Sequence, residues 1–418
     1  MKVAVIGAGI SGLTAAYLLA PHARVTLFEK DGRLGGHAHT AHIPFNDSVV
    51  SVDTGFMVFN PAKYPYFCKL IQDLDVQTID TNMSFSVSIP GHVEFSSSLT
   101  GILGNLRQLI KPKYISFIYE ILAFNSAAKA SLRRTDSSET LKDFLATNSF
   151  SKELAEWYLF PMVASIWSSG SSQVGEFPAR ETFQFLDNHQ LLSVLGGPQW
   201  KTIQAGSAHY VDALSARLIL EGVHIVTGAQ IQGIERSERV VRVLSDQSET
   251  FDAVIIATHA DEARTILNNK STDEDKILGL FSYARNTAIL HNDAGFMPKR
   301  RSAWAAWNYH SDTTSEASSD VSLTYNMNYL QSIPEEFPVF VSLNPHRHIA
   351  LEHIFETHTY SHPVLNAAAR QAQKRLPEIQ GARGTFFAGA HWGNGFHEDG
   401  VVSAMNAVTS LNTPLRFV

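Results

Sequence analysis

Val3-Ala4-Val5-Ile6-Gly7-Ala8-Gly9-Ile10-Ser11-Gly12 is the stretch that decides the fold. Four apolar residues read as a short buried strand, and a glycine-rich turn follows at once. Residues 13–20 then read as a helix stopped by Pro21, and residues 25–28 as a second buried strand ending at Glu29. In Gly7-x-Gly9-x-x-Gly12 the first glycine permits the tight turn. The second lets backbone N–H groups approach a pyrophosphate, and the third lets helix and strand pack closely. The helix N-terminus adds partial positive charge where phosphates would sit. Glu29 stands at the end of the second strand, where a carboxylate accepts hydrogen bonds from ribose hydroxyls and repels a 2′-phosphate. The expectation is a Rossmann-type dinucleotide site that excludes NADP, against the plain alternative of a glycine-rich turn with no ligand.

The rest of the chain narrows the class. It has 418 residues, 44% of them hydrophobic and 17% charged, which is ordinary globular composition with room for two or three domain-sized units. A net charge of −7 and no long basic tract argue against nucleic acid as a partner. One cysteine, Cys68, excludes an intramolecular disulfide and a cysteine-based zinc cluster. The N-terminus runs directly into the first strand, and no stretch approaches the roughly 20 apolar residues of a bilayer span. A cytoplasmic protein is expected.

Hydrophobic periodicity divides the chain. Residues 1–62, 200–280 and 376–418 are read as the dinucleotide-binding domain, and 63–199 with 281–375 as an inserted substrate domain. Helical spacing recurs over 99–109, 114–132 and 141–157, and further helices are expected at 211–220, 364–376 and 401–411. Residues 135–139 and 313–320 read as loops. Residues 99–134 carry Arg107, Lys111, Lys113, Lys129, Arg133 and Arg134 beside apolar positions. They admit two readings, core-facing helices with solvated cations or an interfacial helix pair at the mouth of a lipid tunnel.

After Glu29 comes Lys30-Asp31-Gly32-Arg33-Leu34-Gly35-Gly36, and here the chain resembles the FAD-binding amine oxidase superfamily. The resemblance implies an α/β fold, a Rossmann-type FAD-binding domain interrupted by a mixed helix-and-strand substrate domain, and FAD as the cofactor. It implies that Arg33 meets the pyrophosphate and that Gly35 and Gly36 let the chain pass close to the flavin. Phe386-Phe387-Ala388-Gly389-Ala390 with Gly400-Val401 is similar to the superfamily's second FAD signature, with Ala390 where an aspartate is usual. There Gly400 would open a helix facing the flavin. By the same resemblance Ile231 would meet adenine, and Ala257-Thr258-His259 would form a turn near the cofactor. Ile10, Ser11, Lys30, His37, Thr54, Gly55 and Asp399 complete the expected cofactor contacts. No cysteine lies near the C-terminal signature, so FAD is expected to be held non-covalently.

Several segments further resemble a sub-family of flavoproteins associated with, or fused to, cyclopropane-fatty-acid synthases. They are the run Val52-Asp53-Thr54-Gly55-Phe56-Met57-Val58-Phe59-Asn60, Met83-Ser84-Phe85-Ser86, Pro161-Met162, Ile166-Trp167-Ser168, Trp304 with Trp307-Asn308-Tyr309, and Gly395-Phe396-His397-Glu398-Asp399-Gly400. This resemblance implies an apolar substrate such as an unsaturated or methylated fatty acyl chain, with a lipid methyltransferase as a partner. The lack of a second Gly-x-Gly-x-x-Gly unit favours molecular oxygen as electron acceptor, and the interfacial reading of residues 99–134 brings peripheral contact with a membrane. A redox-neutral isomerase of a polyene or lipid, an amine oxidase, and a non-catalytic partner protein stay open beside it.

His391, Trp392, Asn394, His397, Glu398 and Asp399 crowd one short stretch between two glycines expected at the cofactor. His397 and Glu398 are the adjacent acid/base pair there, either catalytic or engaged as cofactor ligands and helix caps. Tyr309 is the next candidate for catalysis. His37, His39 and these histidines form no recognised ligand spacing, so no metal site is expected.

Overall fold

The computed structural model describes residues 1–97, 110–134, 139–167, 174–188, 191–192, 199–237, 240–310 and 322–416. The expected helix at 99–109, the loop at 313–320, all but residue 139 of the loop at 135–139, and Ser168 of one quoted motif lie outside the described residues.

A parallel sheet gathers strands from three separate stretches of chain. Its spatial order is Thr385–Phe387, Ala253–Ile256, Lys2–Ile6, Arg24–Phe28 and His224–Val226. Val5 pairs with Ile255 on one side and Leu27 on the other, so the strand before the glycine turn is central. Val3, Val5, Leu27 and Ile255 are buried, as strands covered on both faces require. The first helix, Ile10–Leu19, is buried throughout. It lies against the last helix, His397–Ser410, and both pack on this sheet.

A seven-stranded mixed sheet forms a second layer, in the order Ile354–Pro363, Tyr283–His291, Phe340–Leu343, Ser322–Asn326, Trp307–His310, Phe85–Ile89 and Val93–Ser96. The helices Pro112–Ser131, Leu141–Thr147, Phe160–Trp167 and Ala179–Asn188 complete that half. Their shared core includes Val87, Phe117, Phe124, Phe144, Phe183, Leu323 and Val341. Beside these helices, residues 63–199 also supply the strands Phe85–Ile89 and Val93–Ser96. The helix expected over 141–157 breaks after Thr147, where Ser149 takes a φ of 56°. A left-handed residue cannot continue a right-handed helix.

One buried polar knot ties the halves, and a second lies within the nucleotide-binding half. Asp53 Oδ1 accepts from Thr40 Oγ1 at 2.6 Å and from Ser207 N and Oγ at 2.7 Å each, while Oδ2 accepts from Gln331 Nε2 at 2.9 Å. Burial pushes the Asp53 carboxyl up to about 6. Fully buried Arg236 and Glu274 pair at 2.5 Å beside the nucleotide-domain sheet.

Candidate active site

A cavity of about 1410 Å³ runs between the two layers. One end is the glycine turn. Gly7, Gly9, Ile10, Ser11, Glu29, Lys30, Arg33, Gly35, Gly36, His37 and Gly55 line it, joined by Ile231, Ala257, Thr258, Gly389, Ala390 and His397. The structure therefore brings together, around one space, most of the residues expected at the cofactor from four distant parts of the chain.

This end has the shape of a dinucleotide cradle. Gly9 is extended, and a methyl group on it would meet no protein atom within 4 Å. The space beside its backbone is left for something other than protein. Gly7 adopts a φ of 97°, which disfavours any side chain. At Gly12 a methyl would be driven into the Gly7 carbonyl oxygen, so this glycine serves helix–strand contact and does not border the cavity. Glu29 is buried. Its Oε2 accepts from Ala8 N at 2.7 Å and its Oε1 from Asp31 N at 3.0 Å, leaving lone pairs on both oxygens for hydroxyl donors. Arg33 donates to the carbonyls of Gly36, Ala38 and Leu34 at 2.8, 3.2 and 3.3 Å, pinning the Gly35-Gly36 turn.

Four expected contacts stand one row back. The last helix starts at His397, four residues before the expected Val401, because Phe396 is extended and its N–H donates to Asp399 Oδ2 at 2.9 Å. Asp399 is thus an acceptor at the helix start. Gly400 lies within the helix, where a methyl would come 2.7 Å from Ile10 Cγ2 and 2.9 Å from Ser11 Oγ. Val401 belongs to the core beneath. Thr54 bridges His39 Nδ1 and Tyr360 Oη at 2.8 Å each, and does not border the cavity.

Two of the three catalytic candidates are likewise displaced. Glu398 points away from the cavity and accepts from Tyr66 N at 3.0 Å and Phe67 N at 2.9 Å, capping the helix Pro65–Asp73. Successive residues of a helix do not share a face, so His397 and Glu398 are adjacent in sequence but not in the site. Tyr309 is buried two residues further along the strand, on the same face as Trp307, and of the two it is Trp307 that borders the cavity. His397 does border it. Its ring stacks on Phe56 at 3.5 Å between centroids, and Nε2 lies 3.0 Å from Tyr210 Oη. Burial holds His397 at about 3 and pushes the Tyr210 hydroxyl upward, so both stay neutral at physiological pH.

Histidines that the sequence names in separate segments meet in one wall, and His362, which the sequence reading does not name, completes it. His37, His259, His362 and His391 join His397 around the cavity with Tyr283 and Tyr360. Rings lie 5.4 Å apart for His37 and His362, 6.0 Å for His37 and His259, and 4.4 Å for His259 and Tyr283. Burial depresses all four, and neighbouring imidazoles add to the effect at His37, His362 and His391; His362 falls to about 4 and His391 to about 3. The wall is therefore uncharged. The signal was period-two: Glu356, His358, Tyr360 and His362 alternate along one strand. Beside it, His39, Glu356 and His358 bring one ligand-type atom each to within 4.8 Å of one another, a grouping that no linear spacing announced. His358 Nε2 and Glu356 Oε2 are paired there at 2.8 Å.

The far end of the cavity is a chamber walled by Met57, Phe85, Phe95, Ile118, Ile121, Leu122, Tyr158, Met162, Ile166, Phe185, Trp307 and Tyr325. Among the described residues its one charged side chain is Asp80, held by Lys201 at 2.9 Å. The buried Trp307 Nε1 has no hydrogen-bond partner. Cys68 does not border the cavity, and burial raises its thiol to about 11.

Fold and cavity together define a Rossmann-type dinucleotide-binding protein with an inserted substrate layer. Residues 10–334 match the family described as flavin containing amine oxidoreductase, and the chain belongs to that family. FAD is the cofactor of its homologues, and the cradle fits it. The chain is similar to coproporphyrinogen III oxidase of Staphylococcus aureus (strain NCTC 8325 / PS 47), with 24% identity over 296 residues, 62% of this chain. That match spans 60% of the relative's length. Its fold is similar to cyclohexylamine oxidase from Brevibacterium oxydans IH-35A, at TM-score 0.70 and 15% identity over 98% of each chain. It is equally similar to a CLA-producing fatty acid isomerase from P. acnes, at TM-score 0.70 and 15% identity over 100% of this chain and 98% of that one.

Proposed function

We propose that this chain is an FAD-dependent oxidoreductase acting on the carbon skeleton of an apolar substrate, an unsaturated or methylated fatty acyl chain. The observation that carries the reading is the continuity of one cavity from the Gly9 and Glu29 cradle into the apolar chamber. FAD, when bound, supplies a two-electron acceptor for a hydride leaving a substrate carbon.

The protein's own contribution is positioning and exclusion. Gly9 and the N-terminus of the first helix take the pyrophosphate, and Glu29 takes ribose hydroxyls. Phe56, stacked on His397, fixes the wall where cradle and chamber meet. The aromatic and aliphatic lining excludes water from the substrate end. Trp307 adds an indole to this lining. A cationic amine, by contrast, finds no unpaired carboxylate among the described chamber residues, and the bordering histidines are neutral.

The test is oxygen uptake by the purified flavin-loaded protein with a panel of unsaturated and methyl-branched fatty acyl lipids, amines and porphyrinogens. Uptake with acyl lipids alone supports the reading. Conversion of an acyl lipid without uptake would assign a redox-neutral isomerase. A response confined to amines or porphyrinogens would refute the acyl substrate.

A further inference from the structure

The helix Pro112–Ser131 is apolar on two faces. Tyr114, Phe117, Ile121 and Phe124 turn inward and are buried. Ile115, Tyr119 and Leu122 follow at i, i+4 and i+7, hence on one outward stripe, and are 56%, 71% and 50% exposed. Ile110, just before the helix, is 79% exposed. A helix that rests on a core and faces water carries polar residues on its outer stripe. Single exposed apolar residues are ordinary, but a row of four large ones marks a contact surface.

Two further observations say what covers it. The stripe is continuous with the cavity, because Ile118 and Leu122 of this same helix line the chamber while Leu122 is half exposed. It therefore borders the chamber's opening. The stripe is also bracketed by cations. Lys111 and Lys113 stand at one end, and Lys129, Arg133 and Arg134 at the other, in a chain whose net charge is −7. Of these, Lys113 pairs with Glu153 at 2.5 Å. An apolar stripe held between positive ends matches acyl chains bordered by headgroup phosphates. No helix among the described residues is long and apolar enough to cross a membrane, so the contact is one of lying on the surface.

We propose that this face docks on an anionic lipid surface, with Ile115, Tyr119 and Leu122 seated at the acyl boundary and the flanking cations on phosphates, so that the chamber opens toward the bilayer. The use of the docking rests on the apolar-substrate reading, whereas its geometry does not.

The experiment is co-sedimentation of the flavin-loaded protein with vesicles of phosphatidylcholine containing phosphatidylglycerol and with vesicles of phosphatidylcholine alone. Binding is expected to the anionic vesicles and to weaken with salt. Ile115→Asp/Tyr119→Asp should lower partitioning by about tenfold or more. Lys111→Gln/Lys129→Gln should lower it by roughly fivefold for each charge. Both variants should keep the flavin spectrum and melting temperature of the parent. Absence of parent binding, or equal binding by the variants, overturns the proposal. So does light scattering that shows a dimer dispersed by Ile115→Asp/Tyr119→Asp, which would make a second copy the occupant. Vesicle binding without turnover of any acyl lipid would leave the docking standing and defeat the substrate reading alone.

Discussion

The imidazole of His397 lies 3.5 Å from the ring of Phe56, centroid to centroid, and 11° from parallel to it. With Nε2 at 3.0 Å from Tyr210 Oη, the ring is clamped and dry. His397 and His391, both near 3 against an ordinary 6.5, resist protonation in the folded state. An imidazole depressed in this way gains a proton on unfolding. Its contribution is complete above about pH 6.5 and is lost as pH falls from there toward 3. The slope is about 1.4 kcal/mol per pH unit for each such group. The melting temperature should drop steeply between pH 6.5 and pH 5, and His391→Gln and His397→Gln should each flatten that slope. An unchanged slope in both variants would show that these histidines titrate normally.

Glu398 caps the helix Pro65–Asp73 through two backbone N–H groups. Glu398→Gln should therefore leave flavin reduction by substrate within about twofold while lowering stability by roughly 1–2 kcal/mol, the worth of a charged cap. Stopped-flow reduction and thermal melts read the two effects separately. A hundredfold loss of rate at unchanged stability would return Glu398 to the chemistry.

Gly9 and Gly12 separate cofactor space from packing space. Gly9→Ala should fold with a normal melting temperature in the flavin-free form, yet bind FAD at least tenfold more weakly, because its methyl enters only the cavity. Gly12→Ala should be destabilised whether or not FAD is present, since its methyl meets the Gly7 carbonyl. Calorimetry of both forms of each variant checks the contrast. Equal behaviour of the two substitutions would contradict it.

Glu29→Ala removes a buried acceptor and should weaken FAD binding by about 1.5–3 kcal/mol, roughly ten- to a hundredfold or more in Kd. Ala8 N and Asp31 N lose their acceptor as well, so the glycine turn itself should loosen. Fluorescence titration of flavin-free protein gives the constant. An unaltered Kd would mean that the carboxylate holds the turn and not the ribose.

The cradle was legible because its chemistry is local. Gly7, Gly9, Gly35, Gly36 and Glu29 lie within 30 residues, and each is dictated by a turn, a close approach or a strand end. The distant residues Ala257, Thr258 and Gly389 were placed only by the family resemblance, and the structure sets them just after strands of the same parallel sheet. The direction in which Glu398 points was not legible, because a helix start depends on its cap. Asp399, three residues after extended Phe396, was the available sign. Tyr309 and Trp307 share one face of their strand, and the cavity reaches only Trp307, a limit set by the packing around the strand and not by its two-residue period. The assembly of the histidines into one wall, and the place of His362 in it, was not legible because it needs Ile354–Pro363 paired with Tyr283–His291 and laid against residues 37–39, a pairing that the alternation along one strand does not encode.

Anaerobic mixing of the purified protein with candidate substrates, followed by flavin absorbance, tests the central claim most directly. The protein should be yellow, should release its flavin on acid denaturation, and should be bleached by unsaturated or methyl-branched fatty acyl lipids but not by primary amines. A yellow protein that amines bleach and acyl lipids leave oxidised would contradict the account.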